Sequence, residues 1–365
     1  MGSPLLYVGL MSGTSLDGVD AVLVQFEGMN QKLIHTKFLP FDENLRTELL
    51  ALNQAGFNEL ERTALAGNAL ATLYARAVHE LLSERSIAAT EISAIGCHGQ
   101  TVRHRPDLGF TSQIGNAALL AELTDITVVA DFRSRDIAAK GQGAPLVPAF
   151  HAAAFSSTKL NRVIINIGGV SNLTWLPTNG KVTGFDCGPG NLLLDSWIQK
   201  QKGVSYDKDG TWASTGKIIP DLLHHLLDHD FFSRPPPKST GRDEFHADWL
   251  ATHLDGTEPP ADVQNTLVEL SARALSMAIQ KHCSDTDEIF LCGGGAHNTA
   301  LTSRLKTLLP GIPIQLTDKL GVGADWVEGA AFAWLAKRAM EGLPGNLPEV
   351  TGANGPRVLG AIHKS

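Results

Sequence analysis

Three glycine-rich stretches hold the side chains best suited to chemistry. The first is Leu10–Asp20 (LMSGTSLDGVD). Gly13 and Gly18 let the backbone curl there, and Ser12, Thr14 and Ser15 add hydroxyl donors. A turn of this kind presents N–H groups to an anion such as phosphate. Asp17 or Asp20 could hold Mg²⁺ directly or through water, since magnesium keeps several waters. An ordinary hairpin loop rich in turn formers has the same composition. The second stretch is Gly184–Asn191 (GFDCGPGN), where Asp186 stands beside flexible positions and suits a catalytic base facing a phosphate. An Asp that merely bonds its own turn is the plain alternative. The third is Cys292–Asn298 (CGGGAHN), whose glycines would let a flat ligand such as a nucleotide ring lie on the backbone, or would simply make a tight connection.

These stretches need strands and helices to position them. Apolar runs at 5–10 and 20–26 predict two strands around the first turn. Apolar spacing of three and four predicts helices over 43–53 and 59–85. A passage from helix to strand follows at 90–97, then a helix over 112–123 and a short strand at 127–131. The segment Lys140–Pro148 (KGQGAPLVP) reads as a hinge. The opening pattern then recurs, with strands at 162–167, 171–176 and 182–185 and a Gly168-Gly169 turn between the first two. Helices are expected over 191–201, 218–228, 262–283, 298–309 and 325–342. Strands are expected at 288–292 and 312–316, with a last one near 357–362. Strands and helices in this order make an α/β protein, and the repeated strand–glycine turn–strand unit suggests a duplicated architecture.

Composition narrows the chemistry. The chain has 365 residues, enough for two domains. With 30 Lys and Arg against 38 Asp and Glu, its formal charge is −8 and it has no basic block, which argues against nucleic-acid and anionic-membrane partners. Cys97, Cys187, Cys283 and Cys292 form neither a C-x-x-C pair nor a disulfide framework. The start lacks the charge and apolar pattern of a secretory signal, and no apolar run could span a membrane, so a soluble cytoplasmic protein is expected. There is no G-x-x-x-x-G-K-[ST], no G-x-G-x-x-G after a strand and no G-x-S-x-G. His224, His225 and His229 lie on a helix without H-E-x-x-H and read as a solvated face.

The order of the three turns resembles the actin-like and sugar-kinase ATPases, in which two duplicated domains close on ATP. At closer range, Gly9–Asp20, Gly96–Thr101 (GCHGQT), Asp131–Pro148, Asn166–Asn172 (NIGGVSN), Gly184–Asn191, Lys238–Arg242 (KSTGR), Leu291–Asn298 and Glu328-Gly329 resemble the anhydro-N-acetylmuramic acid kinase family. The resemblance implies an α/β fold of two duplicated actin-like (ribonuclease H-like) domains with a nucleotide cleft between them. It implies an N-terminal domain over 1–130, joined by the tail 350–365, and a C-terminal domain over 131–349. It further implies a cytoplasmic enzyme of cell-wall sugar recycling. Such an enzyme takes ATP, water and 1,6-anhydro-N-acetylmuramic acid to N-acetylmuramate 6-phosphate and ADP. By the same resemblance ATP meets Ser12, Gly13, Thr14, Ser15, Leu16, Asp17, Gly18 and Val19, together with Gly168, Gly169, Gly293, Gly294, Gly295 and Asn298. Asp186 is the expected catalytic carboxylate. His98, Arg133, Asp186 and Glu328 are expected at the sugar, and Asp17 and Asp20 at Mg²⁺. A homodimer is left open. The rival readings are a kinase for another sugar or sugar acid, and an actin-like nucleotide switch.

Overall fold

The structure, a computed structural model, describes residues 4–13, 15–28, 30–242 and 244–365. It divides into two compact units. The first is Met1–Ala154 with Trp326–Ser365, and the second is Phe155–Asp325.

The first unit is built on a sheet whose strands are β1 (Leu5–Met11), β2 (Gly18–Glu27), β3 (Asn30–Pro40), β4 (Ile92–Cys97) and β7 (Val128–Ala130), with the C-terminal strand Ala361–His363 at one edge. β1, β2 and β3 form an antiparallel meander, while β4 runs parallel to β1 and β7 parallel to β4. A separate hairpin, β5 (Gln100–Arg105) and β6 (Phe110–Ile114), leaves the end of β4.

Alternation along β1 sets which face meets which helix. Val8 and Leu10 pack into a core cluster with Leu70, Tyr74 and Val78 of the helix Glu59–Ser83. Gly9 points the other way, as does Gly96, its register partner on β4. A Cβ on Gly9 would lie 1.8 Å from the Gly329 carbonyl oxygen, and one on Gly96 would lie 2.0 Å from that of Phe332. The two glycines let the helix Val327–Met340 lie directly on the sheet, which fixes Glu328 at that helix's first turn.

The second unit repeats this plan. β8 (Arg162–Ile167), β9 (Val170–Leu176) and β10 (Thr183–Pro189) form an antiparallel meander. β11 (Glu288–Cys292) runs parallel to β8, and β12 (Ile314–Leu316) parallel to β11. The spatial order is β10-β9-β8-β11-β12, matching β3-β2-β1-β4-β7 in order and direction. The duplicated ribonuclease H-like α/β architecture is therefore present as two sheets of one topology.

Several elements differ from their expected positions. β3 was not anticipated; it is a half-exposed edge strand without clean alternation. Residues 110–114 are strand, and the helix begins only at Ala117, because Asn116 caps it by accepting from the Leu119 N–H. The unit boundaries also differ from 1–130 and 131–349. Buried Asp136 accepts from the Gly143 N–H at 2.8 Å, Asn346 Nδ2 at 2.7 Å and the Thr351 hydroxyl at 2.8 Å. That network ties 131–143 to the C-terminal segment, so both stay with the first sheet, as does the helix Val327–Met340.

Candidate active site

The β1–β2 turn opens the site in the first unit. Ser12 is buried, and its hydroxyl lies 2.7 Å from Tyr74 Oη and 3.1 Å from the Gly99 carbonyl. Since a carbonyl can only accept, Ser12 donates to Gly99 and Tyr74 donates to Ser12. The Ser12 hydroxyl is thus engaged inward and braces the turn. Gly13 is open, because a Cβ there would meet nothing nearer than 3.8 Å. Its carbonyl accepts from the Leu16 N–H at 3.3 Å and from Gln100 Nε2 at 3.1 Å. Leu16 has φ +55° and its side chain is buried, as is that of Val19. Gly18 lies tight against β3, where a Cβ would stand 2.3 Å from the Leu39 carbonyl oxygen. Leu16, Gly18 and Val19 are thus buried as whole residues and shape the turn from within. Ser15 donates to Asp17 Oδ1 at 2.7 Å in an exposed turn, and Asp20 is half-buried in β2. Thr14 lies outside the described residues.

His98, Arg133 and Glu328 form the second group of the first unit. His98 is buried against the Phe332 ring, with centroids 4.7 Å apart. Its Nδ1 faces the Ser12 carbonyl at 3.3 Å, and its Nε2 faces Arg133 Nη2 at 2.9 Å. Arg133 can only donate, so the neutral ring carries its proton on Nδ1 and accepts at Nε2. Burial and the Arg133 charge hold its pKa down to about 3. Arg133 also donates to the Gly143 carbonyl at 2.6 Å. Burial lowers its own pKa to about 10, opposed by Glu328 and Asp136. Burial raises the Glu328 carboxyl, opposed by Arg133. His98 therefore fixes the Arg133 guanidinium and links it to the β1–β2 turn.

In the second unit Asp186 sits in β10, just before an irregularity in the pairing with β9. Its N–H donates to the Lys238 carbonyl at 3.1 Å, and its Oδ2 accepts from the Thr240 N–H at 3.0 Å. Burial pushes its pKa up to about 7, against the Thr240 N–H and the Lys238 charge. Lys238 donates to the Phe231 carbonyl at 3.0 Å, with its ammonium 4.4 Å from that ring's centroid. Asp195 is likewise raised to about 7 by burial, with Arg242 opposing. The segment 238–242 thus wraps Asp186. Its motif was legible, but the parts played by Lys238 and Thr240 were not, because they depend on a backbone amide.

The other glycine turns divide in the same way. The Gly168 carbonyl accepts from the Asn191 N–H at 2.8 Å, and that of Gly169 from the Gly190 N–H at 2.8 Å, stitching the β8–β9 turn to the end of β10. Gly293 has φ +79°, and a Cβ there would lie 2.4 Å from Asn166 Oδ1. One on Gly295 would lie 2.2 Å from Ile167 Cγ2, whereas one on Gly294 would meet nothing within 4 Å. Asn298 spends its side-chain oxygen on the Leu301 N–H at 3.1 Å, as a helix cap. His229, in the three-histidine stretch, also caps a helix, accepting from the Phe231 N–H at 3.2 Å.

Among the described residues no helix is long and apolar enough to cross a membrane. The family model described as anhydro-N-acetylmuramic acid kinase matches residues 5–365. A protein of that name from Nitrosomonas europaea is 56% identical over 361 residues, covering 98% of this chain and 99% of that one. Another from Nitrosospira multiformis is 55% identical over 359 residues, covering 98% of each. A third from Thiobacillus denitrificans is 53% identical over 361 residues, covering 98% of this chain and 96% of that one. With a match that runs through every turn described above, the chain belongs to the anhydro-N-acetylmuramic acid kinase family.

Proposed function

We propose that this chain is an ATP-dependent kinase of cell-wall sugar recycling. It opens 1,6-anhydro-N-acetylmuramic acid with water and phosphorylates the released O6, giving N-acetylmuramate 6-phosphate and ADP. The observation that carries the mechanism is Asp186, a carboxylate fixed by the Thr240 N–H and poised near neutral pH. In an anhydro sugar O6 is bonded to C1 and carries no proton, so no base is needed there. The base is needed for the water. As the water oxygen bonds C1, its proton passes to Asp186 and the C1–O6 bond breaks. O6 then bonds the γ-phosphorus as the bond from that phosphorus to the ADP oxygen breaks. Transfer of the phosphoryl group to O6 replaces the general acid that glycosidases use, so one carboxylate suffices.

The remaining residues bind and orient. Arg133, fixed by His98, and Glu328 meet the sugar. The open Gly13 turn lets backbone N–H groups approach the phosphates, and Gly294 leaves room for adenosine. The hard oxygen donors Asp17 and Asp20 suit Mg²⁺ that retains its waters, and when bound it would neutralise phosphate charge. The reaction belongs in the cytoplasm, where ATP is available. A kinase for another sugar and an actin-like nucleotide switch are both disfavoured by a family match over 5–365. The direct experiment couples ADP release to added anhydro sugar. The proposal expects release that depends on the sugar, and ADP release indifferent to it would refute the reading.

Two further outcomes follow. Asp186 must be ionised to accept a proton, so kcat should rise with pH through about 7 and level off above it. A profile flat from pH 5.5 to 9 would contradict the base assignment. Gly294→Val should leave the melting temperature within about 2 °C, because its site is open, yet weaken ATP binding roughly tenfold or more. Calorimetry showing unchanged ATP affinity would remove Gly294 from the nucleotide site.

A further inference from the structure

Asp186 is held by a backbone amide, and something must hold that amide. The loop carrying it leaves an aromatic cluster and returns to the same cluster. Phe231 and Phe232 precede the loop and Phe245 follows it, with the ring centroids of Phe231 and Phe245 5.6 Å apart and those of Phe232 and Phe245 5.7 Å apart. Across the neck, Arg234 Nη2 pairs with Glu244 Oε1 at 2.7 Å. The other oxygen, Oε2, accepts from the Thr240 hydroxyl at 2.7 Å. Thr240 in turn gives its N–H to Asp186 Oδ2. Both Glu244 oxygens are therefore engaged, and its side chain is only 18% exposed against 46% for Arg234. A chain of contacts runs from Arg234 through Glu244 and Thr240 to the carboxylate.

We propose that Glu244 is a positioning residue for the reaction, which through the Thr240 hydroxyl keeps the Thr240 N–H aimed at Asp186. The inference rests on the reading of Asp186 as the base. Glu244 touches neither sugar nor nucleotide in this account; it acts through Thr240. A threonine side chain tied to a fixed carboxylate cannot rotate its peptide away, so the amide stays preorganised for the ionised form of Asp186. Among the described residues, the other ionisable groups that act on Asp186 or feel its charge are Lys238 and the Cys187 thiol. The Lys238 ammonium is engaged by the Phe231 carbonyl, and burial raises Cys187 well above its usual range, keeping it neutral.

The test is the pH dependence of kcat, measured by ADP release with the anhydro sugar. An N–H directed at a carboxylate favours its charged form, so losing that alignment raises the pKa of the base. Glu244→Ala should move the acid limb up by about one pH unit. The rate loss, roughly tenfold near pH 6, should shrink towards pH 9 as the base ionises. Thr240→Val, which keeps the N–H but loses the hydroxyl, should do the same. The double variant should lose no more than either alone, since both break one contact. Glu244→Gln keeps an oxygen for the Thr240 hydroxyl and should recover most of the loss. KM for ATP should stay within about twofold in every variant, because none of these groups meets the nucleotide.

An acid limb at the parent's pH in both Glu244→Ala and Thr240→Val overturns the inference, whatever the rates. So does a double variant whose losses multiply. Failure of the underlying reading looks different: turnover by Asp186→Asn, or a parent enzyme without an acid limb, removes the base itself.

Discussion

Asp186→Asn is expected to lower turnover by about 10³-fold or more, with ring opening and phosphorylation lost together. The two steps fall together because one departing oxygen links them. O6 becomes a nucleophile only as C1 accepts water, and water attacks only if its proton has somewhere to go. Asn fills the same space and can still accept from the Thr240 N–H, so the fold around β10 is retained. ATP affinity should stay within about twofold, since Asp186 is assigned to the water and not to the nucleotide. Kinetics and calorimetry on the one variant check both halves. Normal turnover would remove the base, and joint loss of turnover and ATP binding would point to general damage.

Gly9→Ala is expected to be the most damaging single methyl in the first unit. The added carbon would stand 1.8 Å from the Gly329 carbonyl oxygen and 2.7 Å from the Ala333 nitrogen, both backbone atoms of the helix Val327–Met340. Neither can rotate aside, so the helix must lift from the sheet. A cost of about 3 kcal/mol is expected, at the upper end for overpacking. That corresponds to a fall of about 10 °C in melting temperature. Sugar-dependent turnover should fall as well, because Glu328 rides on the displaced helix. Gly13→Ala is the control: its added carbon finds only ordinary contacts at 3.8 Å, and the melting temperature should barely move. Equal melting temperatures for the two variants would show that Gly9 does not hold the helix down.

This contrast also marks how far the sequence could be read. The strand–turn–strand units at 5–26 and 162–185 were legible, since their apolar runs and turn glycines agree. The half-exposed edge strand β3 was not, because Lys32, His35 and Lys37 leave no alternation to detect. The glycine-rich motifs were legible as motifs, but a sequence does not say whether a missing Cβ makes room for a ligand or for another backbone. Gly9, Gly18, Gly96, Gly293 and Gly295 make room for protein atoms, and Gly13 and Gly294 stand open. The Ser12 hydroxyl braces a turn, the Asn298 side-chain oxygen caps a helix and His98 aims Arg133, parts that a motif alone does not reveal. For Ser12 and His98 the partners, Tyr74 and Arg133, lie far away in the chain. The loop from Lys238 to Arg242 shows the same limit, since its grip on Asp186 passes through one amide.

The central claim is that water opens the sugar while ATP phosphorylates the oxygen so released. The most direct test runs the reaction in ¹⁸O-labelled water with unlabelled ATP and anhydro sugar, quenches at early times, and reads the product by fragment mass spectrometry. The account predicts one labelled oxygen on the sugar, at C1, and none in the phosphate group. Label in the phosphate, or a phosphorylated product without label at C1, would contradict it.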